Sequence, residues 1–557
     1  MNWYLHFIDL LILAFVLVMA RHTILRGRFF LHIFQQNGYK FNEFWHWMID
    51  NWNRFILTPE HVLFNVVIFV LLLFMSNTIT GSTVIIILSL FGFFWFGPFD
   101  YYRGEKSKKP LVFTPRMIRL SIPYVLLGLI LPVGITYMSY TGNIPFTRYV
   151  LQNDTLYPAD MYILSFGWVL GNALMPFFIF IAGLLTKPIE NYVHRHFIKL
   201  AKGKLAHMPD LTVIGITGSY GKTSTKFMIR DLLSERYSVC ATPASYNTPM
   251  GICKVINNDL QSHHQVLILE MGARYKGNID ELCNIAEPNI AVVTNVGIAH
   301  LETFGSQDAI AETKSSIVKR TKSRGKSVLN ADDERVRKMA DLRDDLEITM
   351  AGIDDGDIRA QDIEYSEKGM KFTVTVGEES ESFSMKLLGK HIVQDMLLAA
   401  GVAHSMGIRL KTMALAAGRM QPVEHRLELK EQGELTVIDD AFNSNPVGAQ
   451  NAVEILSQFK NGKRIIITPG MIELGELQVE KNRQFGQQIG KANLDLVILV
   501  GKNQTKAIKE GISSTGFNME HVKTANSLYE ANRIMQDAAT EGDIVLYEND
   551  LPDSFNE

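Results

Sequence analysis

All six tryptophans of the 557-residue chain, Trp3, Trp45, Trp47, Trp52, Trp95 and Trp168, lie before residue 170, interleaved with five apolar runs at 4–20, 61–75, 82–99, 118–138 and 161–185. Each run approaches the roughly 20 residues that cover a hydrocarbon core. The remainder of the chain has an ordinary soluble composition. This partition predicts an all-α transmembrane region over 1–204 with about five helices, followed by soluble domains. Length agrees, because a core rarely serves more than roughly 100 to 200 residues. The first run opens "MNWYLHFIDLL" without a basic leader, and Arg21 follows where a small cleavage-site residue would stand, so it is expected to remain as an anchor.

Lysine and arginine set the expected orientation. They crowd the first and third connections (Arg21, Arg26, Arg28, Lys40, Arg54; Arg103, Lys106, Lys108, Lys109, Arg116) and the exit after the fifth run, whereas the second connection has none and the fourth only Arg148. The N-terminus is then outside and the soluble half cytoplasmic, at a multi-pass bacterial plasma membrane. The segment "FNEFWHWMIDNWNRF" reads as an interfacial helix, with a plain loop as the alternative. A net charge of -3 provides no field to steer a polyanion, so no nucleic-acid partner is expected. Cys240, Cys253 and Cys283 form neither a metal-binding pair nor an even disulfide set and are read as buried small hydrophobes in a reducing compartment. His263 and His264 lack further ligands at a recognisable spacing and read as solvated loop.

In the soluble half, short apolar runs alternate with helical patterns. "LTVIGITG", "QVLILEMG", "NIAVVTNVG" and "KSVLNADD" predict one parallel sheet with crossover helices. "ELTVIDD", "RIIITPG", "DLVILVG" and "DIVLYEND" predict a second, with a boundary at 421–425. The expected fold is therefore multi-domain: an α/β nucleotide-binding domain over 205–420 and a Rossmann-like α/β domain over 421–557. Period-two alternation in "KFTVTVGEESESFSMKLLG" predicts a hairpin inserted between the two sheets.

Directly after the first predicted strand comes Gly218-Ser219-Tyr220-Gly221-Lys222-Thr223-Ser224. Ile216 stands where the general phosphate-loop pattern has its first glycine, yet the physical requirements are present. Two glycines let backbone N–H groups turn toward phosphate, a helix N-terminus follows, Lys222 can reach the transferring phosphoryl group and Thr223 can ligate magnesium. A glycine-rich turn with a chance lysine is the bland alternative; the strand before and the helix after weigh against it.

This variant of the loop resembles that of the Mur ligases, which join amino acids or peptides to peptidoglycan precursors, and the resemblance runs from about 211 to 546. "ATPASYNTPMGI" aligns Asn247 and Gly251, "LILEMGAR" aligns Glu270, "TNVGIAHLETFGS" aligns Asn295 and His300, "IAETKSSI" aligns Lys314, "EHRLE" aligns His425 and Arg426, and "IDDAFNSNP" aligns Asp440. The resemblance implies ATP and magnesium as cofactors. Thr223 and Glu270 would hold one magnesium, and His300 with a carbamylated Lys314 a second, while Lys222 would neutralise the transferred phosphoryl group. Asn247, Asn295, Asp395, Arg426 and Asp440 would contact nucleotide, the last two across an interdomain cleft. Taken singly, Lys314 would read as a solvated helix lysine, Glu270 as a strand cap, His300 as a hydrogen-bonded core histidine and Asp439–Asp440 as an exposed turn.

The chain departs from the family pattern in four places. Ile392 and Asp395 in "GKHIVQD" replace two asparagines, which leaves adenine and ribose contacts open. Asn482 replaces a histidine after "GMIELGE", and the end "YENDLPDSFNE" lacks a "KGS" segment, which leaves the amine open. Apolar runs stand where the family has a domain gripping UDP, so the expected acceptor is a membrane-presented, lipid-linked envelope precursor. The amine donor is an amino acid or short peptide, and envelope-synthesis enzymes are possible partners. The expected function is an ATP-dependent carboxylate–amine ligase working through an acyl phosphate. A poly-amino-acid synthetase of the same chemistry, or a catalytically dead nucleotide-binding scaffold, are the alternatives.

Overall fold

The computed structural model describes residues 21, 23–52, 111–140, 159–366, 369–387, 389–421, 427–432, 435–441, 446–459, 462–472 and 474–549. The chain divides into two compact units, Met1–Val193 and His194–Glu557. In the first, the described elements are helices, among them α1 (Phe41–Asp50), α2 (Pro115–Tyr140) and α3 (Ala159–Ala206), whose last turns belong to the second unit. Phe30, Phe34, Phe44 and Met48 share a core with Met117, Leu120 and Tyr124 of α2 and Phe178, Ile179 and Ala182 of α3. Arg119 grips Glu190 through two hydrogen bonds, at 2.5 and 3.0 Å, and fixes α2 against α3.

The apolar helices of the described residues correct the membrane reading. The runs at 4–20, 61–75 and 82–99 lie outside the described residues. Among the described residues one helical segment, Leu174–Ala206, is long and apolar enough to cross a membrane, by length and composition only, and core helices pass the same test. The multi-pass plasma-membrane assignment, with its cytoplasmic orientation, is therefore withdrawn: one such segment among the described residues does not support several crossings. The aromatic segment assigned to an interface is a helix, α1, but its inward rings are packing partners. Phe44 lies 5.3 Å from Phe34, and Phe41 stacks on Phe180 at 5.6 Å.

In the second unit, the first sheet contains β1 (Thr212–Thr217), β2 (Val239–Ala241), β3 (Val266–Glu270), β4 (Ile290–Val293), β5 (Lys326–Asn330), β6 (Glu347–Gly352), β7 (Ile358–Ser366), β8 (Gly369–Val376) and β9 (Glu379–Met385). Their order is β2-β3-β1-β4-β5-β6-β7-β8-β9. The strands from β2 to β7 pair parallel, and β7, β8 and β9 pair antiparallel, so the sheet is mixed. Helices α4 (Lys222–Leu233), α5 (Gln307–Lys319) and α6 (Lys390–Ser405) bear on this sheet. β1 has β3 on one side and β4 on the other, with Ile216 in register with Glu270 and Thr217 with Val293. The strand order reverses there, which is where open α/β sheets leave a crevice at their carboxyl ends.

The period-two stretch is a hairpin, as its alternation predicts, but it is part of the first sheet and does not stand apart between the two. It forms β8 and β9 of a three-stranded extension that joins the first sheet through β7, where Ala351 of β6 pairs with Ile358. Its alternation is explained by where the buried side goes: Phe372 and Phe383 stack at 5.7 Å and enter the same core as Met396 and Leu397 of α6. The second sheet contains β10 (Glu428–Gln432), β11 (Leu435–Asp440), β12 (Arg464–Thr468), β13 (Leu496–Val500), β14 (Val522–Ala525) and β15 (Ile544–Glu548), in the order β10-β11-β15-β12-β13-β14. Only the edge strand β10 is antiparallel among these described pairs. Helices α7 (Pro446–Gln458) and α8 (Gln478–Ala492) pack against each other beside it. The strands absent from the sequence reading, β2, β6, β10 and β14, are short or polar, so pairing and not hydrophobicity defines them. All three cysteines are free and buried, and burial pushes the Cys283 thiol up to about 12.

Candidate functional site

β1 is apolar and buried up to Thr217, whose hydroxyl donates to the carbonyl of Met271 at 2.9 Å and ties the ends of β1 and β3 together. The chain then passes so close to Thr294 that a Cβ on residue 218 would lie 1.8 Å from the threonine hydroxyl; only glycine fits. Gly221 has φ +76° and begins α4 without a side-chain cap, which leaves first-turn N–H groups available to an anion. A Cβ there would lie 2.3 Å from Oδ1 of Asp395.

Asn295 braces this loop from below. Its Oδ1 accepts from the N–H of Tyr220 at 2.9 Å, its Nδ2 donates to the Tyr220 carbonyl at 3.2 Å, and its own carbonyl accepts from Ser219 N–H at 3.0 Å. The Ser219 hydroxyl accepts from Gly297 N–H at 2.9 Å, and burial raises the Tyr220 phenol above its ordinary range. Asn295, expected to touch nucleotide, hydrogen-bonds the loop that would, and Asp395, of which the same was expected, lies against Gly221. Lys222 folds back over it, donating to the carbonyls of Gly218 at 2.7 Å and Ser219 at 3.1 Å. Ser224 is buried one position beyond Thr223.

Beneath the loop, Glu270 ends β3 at 1% exposure. Its Oε2 accepts from the Thr223 hydroxyl at 2.9 Å and lies 3.2 Å from Nζ of Lys226; its Oε1 accepts from Asn247 Nδ2 at 3.1 Å. Thr223, Asn247 and Glu270 are thus brought together. His300 sits at φ +59° at the head of the one-turn helix Leu301–Phe304, and Lys314 lies buried on α5. Burial first, and the charge of Lys222 second, hold the Lys314 amine well below the ordinary lysine range. Gly251 donates its N–H to the Thr248 hydroxyl at 3.3 Å in a short helix beside Asn247.

Asp440 lies on the other sheet, at the end of β11, where Oδ1 accepts from Leu427 N–H at 3.2 Å. Asp439 pairs with Lys430 at 2.6 Å. His425 and Arg426 fall outside the described residues. Asn482, in place of the family histidine, is a brace: it bonds both the N–H and the carbonyl of Met471, each at 2.9 Å. His391 of α6 and Asn451 of α7 meet at 3.0 Å and link the two sheet domains.

Lys226 was missed by sequence reasoning, which took its helix as simply amphipathic. The signal was there, since a lysine three residues after Thr223 shares its helix face. Among the described residues no group of three or more His, Cys, Asp or Glu side chains could hold a metal ion. What fits one hard cation is an oxygen pair, the Thr223 hydroxyl and the Glu270 carboxylate; magnesium asks for one or two such protein ligands beside phosphate and water.

A parallel α/β sheet with a glycine loop and an unspent helix N-terminus at its switch point defines a phosphate-binding α/β protein. The chain belongs to the Mur ligase family. The Mur ligase middle domain matches residues 216–403, and the Mur ligase glutamate ligase domain matches 425–547. The UDP-N-acetylmuramoyl-tripeptide–D-alanyl-D-alanine ligase of Bacillus subtilis is 30% identical over 351 residues, covering 63% of this chain and 75% of that protein. The enzyme of the same name from Mycobacterium tuberculosis is 35% identical over 303 residues, or 53% of this chain; the chain spans about 59% of that relative's length. Among solved structures, MurF ligase from Thermotoga maritima in complex with ADP superposes with a TM-score of 0.58 at 28% identity, over 64% of this chain and 80% of that one.

Proposed function

We propose that the chain is an ATP-dependent ligase that joins a carboxylate of a peptidoglycan-type precursor to the amine of an amino acid or short peptide. The observation that carries this reading is the loop at 218–224, closed over a buried Thr223–Glu270 pair at 2.9 Å in a chain of this family. A carboxylate is a poor acyl donor. Attack of its oxygen on the γ-phosphorus of ATP releases ADP and leaves an acyl phosphate; the amine nitrogen then attacks the acyl carbon, loses a proton and forms the amide as the C–O bond to phosphate breaks and inorganic phosphate leaves. Negative charge accumulates at both steps, and stabilising it is the principal task of the protein.

In this reading the N–H groups of the loop and of the first turn of α4 receive the phosphates, and Lys222 swings from its carbonyl partners to the transferred group. Thr223 and Glu270 would hold magnesium, which when bound neutralises phosphate charge. His300 and Lys314 are the proposed second pair. Burial and the charge of Lys222 lower the Lys314 amine and so favour the neutral form that captures carbon dioxide, and the resulting carbamate would change a repelling lysine into an anionic ligand. Asn247 holds Glu270 in place, and Asn295 and Asp395 shape the loop. Asp440 and Arg426 are proposed nucleotide contacts from the second sheet domain, and we place the limits of the two sheet domains at 205–420 and 421–557.

The relatives' name supplies the first substrates to test: a UDP-N-acetylmuramoyl tripeptide and D-alanyl-D-alanine. The departure at Asn482 makes other amines part of the same screen. Purified full-length chain would be given ATP, magnesium, UDP-linked or lipid-linked tripeptide and a panel of amines, with ADP and product mass followed together. Amide product in step with ADP is expected. ATP turnover with no acylated amine, or no turnover with any acceptor, would overturn the proposal.

A further inference from the structure

Lys226 is a fully buried lysine, at 0% exposure, placed by α4 three residues after Thr223. Its Nζ stands 3.2 Å from the same Glu270 oxygen that accepts the Thr223 hydroxyl. It also donates to the carbonyl of Ala244, a residue held at φ +43°, and lies 4.4 Å from the centroid of the Phe227 ring. The ammonium is thus gripped by a carboxylate, a carbonyl and a ring face, on a backbone that adopts an unusual conformation to present the carbonyl. A buried carboxylate without a compensating charge is costly. Thr223 and Asn247 bring Glu270 neutral donors; Lys226 brings it a positive charge.

We infer that Lys226 is a built-in counter-cation for Glu270 that holds this carboxylate in place in the nucleotide-free protein and keeps its affinity for divalent cations low until nucleotide binds. The inference rests on the proposed role of Thr223 and Glu270 as a metal-holding pair. A divalent ion arriving at Glu270 meets a fixed ammonium on the same oxygen, and at that range, with little water between, the repulsion is large. Nucleotide phosphates bring negative charge that offsets the ammonium, so metal and nucleotide load together. Lys226 is in this sense a positioning residue, acting through Glu270. An ion pair that served stability alone would leave the metal affinity of the nucleotide-free protein unchanged when its charge was removed.

The test is a titration of the full-length chain with manganese, read by electron paramagnetic resonance, with and without a non-hydrolysable ATP analogue. Without nucleotide, Lys226→Gln and Lys226→Met should bind manganese at least about tenfold more tightly than the parent, and Lys226→Arg within about twofold of it. With the analogue the differences should shrink. Glutamine retains a donor within reach of Glu270, so it decides the matter if the methionine variant fails to fold. Unchanged or weaker nucleotide-free affinity in a folded Lys226→Gln protein overturns the inference. Glu270→Gln separates the two readings: if it weakens manganese binding with the analogue while Lys226→Gln brings no gain, the metal pair stands and only the counter-cation falls. If Glu270→Gln binds manganese as tightly as the parent, both fall.

Discussion

In the first sheet the hydroxyl of Thr223 lies 2.9 Å from Oε2 of Glu270; in the second the hydroxyl of Thr468 lies 2.6 Å from Oε2 of Glu548. Each glutamate is buried at the carboxyl end of a parallel strand, β3 in one case and β15 in the other. Their neighbours differ. Glu270 shares a buried ammonium and an amide, and lies under a glycine turn with first-turn N–H groups left over. Around Glu548 the polar groups hold backbone: the Asn549 amide donates to the Gly470 carbonyl at 2.6 Å, and Asn482 fastens both polar groups of Met471. Even the glycines diverge, since Gly470 at φ +81° turns against Asn482 whereas Gly221 turns beside the loop that would receive phosphate. A carboxylate at a sheet edge has no chemistry of its own; what its neighbours leave available decides whether it serves a ligand or a turn.

Five changes would break or sharpen that contrast. The largest effect is expected from Lys222→Ala, which should lower ATP turnover by at least about a hundredfold, because it removes a charge facing the transferred phosphoryl group. ADP release by the purified chain measures it, and near-normal release would dissolve the distinction between the two edges. Lys314→Ala should lose activity on a similar scale and recover part of it with short carboxylic acids; full activity without rescue would remove Lys314 from the site.

The same lysine gives a pH test. Its pKa is lowered in the folded chain, so between that lowered value and the ordinary lysine value of 10.5 the unfolded chain binds more protons. Stability must then rise with pH across that window. In carbon-dioxide-free buffer, Lys314→Met should melt higher than the parent at neutral pH and lose this rise; parallel melting curves would contradict it.

Gly221→Ala comes next. A Cβ at φ +76° costs about 1–3 kcal/mol before its contact with Asp395 is counted, so denaturant unfolding should show a loss of at least about 2 kcal/mol. The smallest effect belongs to the second edge: Thr468→Val should cost about 1–2 kcal/mol, by leaving Glu548 short of a donor, with ATP turnover close to the parent's. A collapse of turnover in that variant would mean that the second edge also serves the nucleotide.

Much of this was legible in residue order. The loop at 218–224, the strand that ends in Glu270, the strand that precedes Asn295, and the helix carrying Lys314 follow from glycine placement, apolar runs and motif spacing, all of them local. The front of the chain was harder to read because apolarity reports removal from water and not the medium that replaces it: Met117, Leu120 and Tyr124 are buried against another helix, while Ile118, Ile122 and Val125 of the same helix are exposed. Asp395 marks another limit: residue order gives no hint that it lies against Gly221 of the loop.

The sequence by itself determined that a phosphate-shaped turn follows β1, because only glycine accepts those backbone angles and close approaches. It determined the parallel pairing of the strands from β1 to β5 and from β11 to β15 too, since strand–helix alternation there allows little else, but not the antiparallel strands at the edges. The tertiary structure alone decided that β7, β8 and β9 extend the first sheet and that Asn482 braces a turn. It alone brought Lys226 onto Glu270, joining residues 44 positions apart. Those outcomes depend on which edges and faces meet after the chain has folded back on itself, and a pattern read along the chain carries no information about distance across it.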